Sequence, residues 1–196
     1  FSDFILMDPG AGGQALTIAH LPLRLNGRQS PAAPKVAQEY THSMALKPVG
    51  TPCIGVCSTT FGDTVCRGCK RFLHEVVDWN RYQDTEKRTV WRRLDQLLCV
   101  VVDNYLEVRD AALLREQMAY QNLRLQPELS AAGWVPELLK AAGRRQLDWP
   151  SFGLQPRRQA EGLSARELYD LISAEFHALS CAHYERAHLR ASSEIS

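Results

Sequence analysis

The sequence predicts a mainly α protein, in which a small four-cysteine metal knuckle is followed by a short helix, a long helix and a C-terminal helix. Three observations carry that prediction. Four of the six cysteines lie within the seventeen residues from Cys53 to Cys69. From Lys70 onward apolar residues recur at intervals of three and four, the spacing that lines one face of a helix. No alternating apolar–polar run of useful strand length interrupts them.

Residues 1–43 combine "DPGAGGQ" and "NGRQSPAAPK" with one modest apolar stretch broken by Pro22. Such a density of Gly, Pro, Asn and Ser buries too little apolar surface to offset chain entropy, so the segment is expected to be disordered. Met44 stands directly before the cysteines, and the preceding residues are expected to be a non-native leader. Residues 44–83 form the metal-binding module and 84–196 a helical extension.

Within the module, "KRFLHEVVDW" sets Phe72, Leu73, Val76 and Val77 on one helical face, with Trp79 extending it. Asp84 is the expected N-cap of the long helix, which runs without Gly or Pro to Leu125 as one piece or as two with a break near Arg109 to Ala111. Its stripe of Val90, Trp91, Leu94, Leu97, Leu98, Val101, Val102, Tyr105, Leu106, Leu113 and Met118 is expected to be core. A short helix is expected over 136–142, then a loop over 143–162. In the last helix Ser164 and Glu167 have capping-box spacing, and Leu168, Leu171, Ile172, Phe176, Leu179 and Ala182 form the apolar face.

The cysteines are spaced Cys53-x3-Cys57-x8-Cys66-x2-Cys69. Two short chelating pairs joined by a loop allow four thiolates to converge, because turns of this length aim both sulfurs of a pair to one side. Gly55 and Gly68 inside the pairs allow tight turning and close approach to sulfur. Arg67, Lys70, Arg71 and His74 around the second pair would stabilise deprotonated ligands. Metal binding is the favoured reading over two disulfides or free thiols. Zinc and an iron-sulfur cluster both accept four thiolates, and spacing does not separate them. Cys99 and Cys181 read as inert thiols on helices. A second metal site from His177, Cys181 and His188 is weighed below a histidine-rich exposed helix end.

The stretch "PCIGVCSTTFGDTVCRGCKRFLHEVVDWNRYQDTEKRTVWRRL" resembles the YdhL-like family of small bacterial proteins, a domain of unknown function (number 1289) described as predicted iron-sulfur proteins. Cys53, Cys57, Cys66, Cys69, Arg71, Glu75 and Trp79 occupy the family's hallmark positions, over about Thr51 to Leu94. The resemblance implies a bacterial origin and tilts the metal slightly toward iron. The long C-terminal extension departs from the shorter members.

The net charge of +1 and isoelectric point of about 7.8 give no global signature of a nucleic-acid binder, so such binding would need a local patch. Arg67, Lys70, Arg71, Arg81 and Trp79 are the candidate contacts to RNA or single-stranded nucleic acid, weighed against a solvated charged face because Asp78, Asp84, Glu86 and Asp95 are interspersed. A protein partner is the other candidate. No phosphate-binding glycine loop, serine elbow or paired-histidine motif points to an enzyme. The alternative is a redox or cluster-carrying iron-sulfur protein, acting as an enzyme subunit or electron carrier. No apolar run reaches the roughly eighteen residues that span a bilayer, and the N-terminus lacks a secretory pattern. The expected compartment is the cytoplasm, with no membrane partner.

Overall fold

Helix α1 (Leu73–Val77) follows the cysteine segment directly, and helix α2 (Asp84–Asp103) carries a face on which two of the later helices pack. Beyond them come strand β1 (Leu106–Val108), helices α3 (Ala111–Tyr120) and α4 (Ala131–Ala142), strand β2 (Leu154–Pro156) and helix α5 (Ala165–Ser193). This computed structural model describes residues 48–193, with side chains through 187. The expectations for residues 1–43 and Met44 lie outside the described residues. One unit spans Leu46–Ser196, so the cysteine segment and the helical extension fold as a single body. The expected mainly α architecture is present.

In α2 the predicted stripe is the buried face: Val90, Trp91, Leu94, Leu97, Leu98, Val101 and Val102 are all buried. The lower half of that stripe joins Leu114, Met118, Val135, Leu138, Leu139, Leu168 and Ile172 in the main core, formed where α2, α4 and α5 pack on one another. The upper half makes a second cluster, in which Val49 and Trp79 of the cysteine segment pack on Val90, Trp91 and Leu94. The cysteine segment is therefore seated on α2 by an apolar contact of its own.

Several boundaries differ from the sequence reading. The N-cap of α2 is Gln83, whose backbone N–H donates to Glu86 Oε2 at 2.8 Å; Asp84 lies in the first turn, where a carboxylate also favours the helix dipole. The long helical stretch does break, but earlier than Arg109, and the gap holds a strand. There Leu106, Glu107 and Val108 pair antiparallel with Pro156, Gln155 and Leu154. Each strand has three residues, too few for alternation to register. α3 restarts at Asp110, whose carboxylate accepts from Ala112 N and Leu113 N, both at 2.9 Å. It ends at Tyr120 because Asn122 turns left-handed (φ 55°) and Leu123 N returns to Met118 O. α4 begins at Ala131, not Pro136. Pro136 sits inside the helix, where it withholds the N–H that would reach the carbonyl at 132.

α5 starts as predicted. The N–H of Ser164 donates to Glu167 Oε2 at 2.9 Å, and the N–H of Glu167 returns to Ser164 Oγ at 3.3 Å. Leu168 and Ile172 are buried, whereas Leu171 and Ala182 face outward.

Candidate metal centre

The segment from Cys53 to Phe72 is built of two loops laid against each other. In the second, Cys66 N donates to Arg71 O at 2.9 Å, Lys70 N to Cys66 O at 2.8 Å and Leu73 N to Thr64 O at 2.8 Å. These bonds fold the chain into a hairpin whose tip carries Cys66 and Cys69. The tightness of that tip forces Lys70 into the left-handed region (φ 59°), a conformation that side chains other than Gly and Asn seldom take. In the first loop Gly55 makes the turn between Cys53 and Cys57 at φ 92°. A short 3-10 turn follows at Ser58–Phe61.

Gly68 is where the loops touch. A Cβ there would stand 2.9 Å from Val56 O and 3.0 Å from the Ile54 side chain. The x2 turn of one cysteine pair therefore abuts the x3 turn of the other, and Arg67 N adds a 2.8 Å bond to Ser58 Oγ across the junction.

Cys66 and Cys69 are buried together, Cys57 is half-buried and Cys53 is exposed. Burial pushes the Cys66 thiol up, but N–H groups of Cys69, Ser58 and Gly68 and the Cys69 side chain outweigh it and hold it at about 7. Burial raises Cys69 in spite of Arg71 Nε, which donates to its sulfur at 3.3 Å. The hairpin thus eases deprotonation of Cys66 and opposes that of Cys69. Cys57 Sγ lies 2.9 Å from Thr59 Oγ1, and Cys53 Sγ accepts from Gly55 N at 3.4 Å. Among the described residues no three Cys, His, Asp or Glu side chains are gathered closely enough to hold an ion. The donor set nevertheless suits a thiophilic metal: two buried sulfurs on a rigid turn, two more on the touching loop, and a guanidinium beside them.

The cations divide into two groups. Lys70 and Arg71 are interior, 5% and 3% exposed, and so is Trp79, over whose ring the Arg71 guanidinium lies at 4.8 Å. Arg67 and Arg81 are on the surface, paired with Asp63 at 2.9 Å and Asp78 at 3.4 Å. Of the five candidate nucleic-acid contacts, three therefore face the protein's own interior.

The signals missing from the sequence come from distant helices. Lys70 Nζ donates to Ser173 Oγ of α5 at 3.0 Å, and His177 Nε2 lies 3.2 Å from Val65 O. Cys181 stands one turn further on, 3.7 Å from His177 Nε2; the side chain of His188 lies outside the described residues. Arg93 of α2 pairs with the buried Glu75 carboxylate, which also accepts from Phe72 N, while its guanidinium lies over the Phe72 ring at 3.8 Å. Cys99 is half-buried, beside Ser130 Oγ at 3.0 Å, and burial raises its thiol. Among the described residues no helix is long and apolar enough to cross a membrane.

Residues 51–98 match the family described as protein of unknown function DUF1289. The chain is 38% identical over 58 residues to the uncharacterized protein YdhL of Escherichia coli O6:H1 (strain CFT073), a stretch covering 30% of this chain and 72% of that protein. No solved structure matches.

Proposed function

The chain belongs to the YdhL-like DUF1289 family, and on that premise we propose that Cys53, Cys57, Cys66 and Cys69 hold one four-thiolate metal centre that organises a recognition surface for a protein partner. The observation that carries the reading is the contact at Gly68, which sets the two cysteine turns against each other. Cys66 and Cys69 would receive the ion first, being already side by side, and the exposed Cys53 and half-buried Cys57 would close over it. A bound metal would supply cross-linking between loops that have little core of their own. Arg71 would offset the negative charge of the thiolates.

The choice of partner rests on the outer surface of the first loop. Ile54, Val56 and Phe61 are 63%, 72% and 88% exposed there, while Lys70, Arg71 and Trp79 are turned inward. An apolar rim suits a protein surface better than a phosphate backbone.

Elemental analysis and the visible spectrum of anaerobically purified protein test the proposal. One zinc per chain without colour would make the centre structural. Iron with sulfide and a broad charge-transfer band would turn the reading toward electron or cluster transfer. Cys66→Ser is expected to lose metal and fold together, whereas Cys99→Ser keeps both; full metal retention by Cys66→Ser would remove that ligand from the set.

A further inference from the structure

The hairpin tip, the chain at Thr51–Ile54, the segment before α4, and helices α2, α4 and α5 line an open pocket of about 390 Å³, a size that takes small organic ligands. Lys70 forms part of its wall. The residue is buried; its ammonium donates to Gly68 O and Ser173 Oγ, lies 5.5 Å from the centre of the Phe176 ring, and feels the Cys66 and Cys69 sulfurs as negative charges when they are deprotonated. A lysine ammonium has three donors, so one remains for a further acceptor. A further acceptor in the pocket, an anionic one above all, would complete its hydrogen bonding.

The rest of the wall is consistent with such a guest. Arg124 and Lys140 bring two more positive charges, against the single carboxylate of Glu137. Trp91, Trp134, Tyr169 and Phe176 add aromatic side chains to the lining. Electrostatics alone would accept inorganic phosphate; the aromatic walls select a guest with a flat apolar body as well.

We propose that this cavity binds a small organic anion, a carboxylate, sulfonate or phosphate carried on a planar or aromatic body, with Lys70 receiving the acidic group and Arg124 and Lys140 guarding the mouth. The site lies within residues 48–193, and Cys53, one of the proposed thiolate ligands, also stands in its wall.

The test uses two fluorescent probes of nearly the same shape, 1-anilinonaphthalene-8-sulfonate and its uncharged counterpart N-phenyl-1-naphthylamine, titrated into the full-length chain. The expected result is saturable binding of the sulfonate at one site per chain. Lys70→Met should weaken it by about tenfold, the loss of one hydrogen bond to a charged group, and leave the uncharged probe unaffected. Because Lys70 adjoins Cys69, the double variant Arg124→Ala/Lys140→Ala provides an independent arm. It lies outside the cysteine segment and should weaken sulfonate binding severalfold with an unchanged circular dichroism spectrum. Equal affinity for the two probes, or undiminished sulfonate binding by the double variant, would overturn the proposal.

Discussion

Arg93 and Glu75 show at the scale of single residues what a buried charge does here. The Glu75 carboxylate is almost fully enclosed and receives Phe72 N and Arg93, whereas Arg93 Nε and Nη1 have no hydrogen-bond partner among the described residues, the guanidinium lying over the Phe72 ring. Removing either partner strands the other in a medium that solvates it poorly. Glu75→Ala or Arg93→Ala should each destabilise by about 3–5 kcal/mol, and the double change Glu75→Leu/Arg93→Met should return most of that loss; urea unfolding of the four proteins measures it. Tyr105 gives a pH signature. Its hydroxyl donates to Glu175, and that bond, with burial and the carboxylate's charge, pushes its pKa up to about 12. A raised folded pKa means that the bond's contribution is complete below about 10, the ordinary value for tyrosine, and disappears as pH climbs through 12. Tyrosinate absorbance should therefore show a late-titrating component from Tyr105, which Glu175→Gln brings earlier. None of these partners was legible in the sequence. Arg93 sits in a run of basic residues that reads as a charged face, and only the fold reveals which member of "RR" turns inward.

At the scale of elements, the sequence was most informative where one helix face meets a core. The α2 stripe and the Ser164–Glu167 box could both be read because their signals are local and periodic. The strand pair could not, since three residues of β1 find their register only through contact with residues almost fifty positions away. The break in the long helix was expected near Arg109 to Ala111, where α3 does restart on its N-cap Asp110, a residue that also approaches Gly153, but the first helix already ends at Asp103. A Cβ at Gly153 would lie 2.4 Å from Asp110 O, and the glycine is itself left-handed (φ 66°). Arg109 N and Asp110 N both donate to Gly153 O. Gly153→Ala should thus cost about 2 kcal/mol or more, from left-handed strain plus displacement of the cap. Asp110→Ala should cost about 1 kcal/mol, the usual loss of an N-cap. Thermal unfolding distinguishes the two by their order. α4 illustrates a similar local requirement: a Cβ at Gly133 would come within 2.6 Å of Asp95 Oδ1, the oxygen that accepts Ser130 N at the start of that helix.

For the whole molecule, spacing marked the four cysteines as candidate ligands but could not assign each its environment. Burial of Cys66 and Cys69 follows from the hairpin and from α5 lying behind it, through Ser173 and His177. Those helical residues lie more than a hundred positions along the chain, so no reading of the cysteine segment alone would have reached them. The same arrangement leaves Cys53 outermost, beside the exposed Ile54 and Val56. That placement bears on storage in air. In protein freed of metal, two molecules meeting through these apolar loop tips would bring one Cys53 thiol against the other, and oxygen, reduced to hydrogen peroxide, would join them as a disulfide-linked dimer that a reducing agent separates. Samples left unreduced should run at twice the chain mass on a non-reducing gel, and Cys53→Ser should abolish that band.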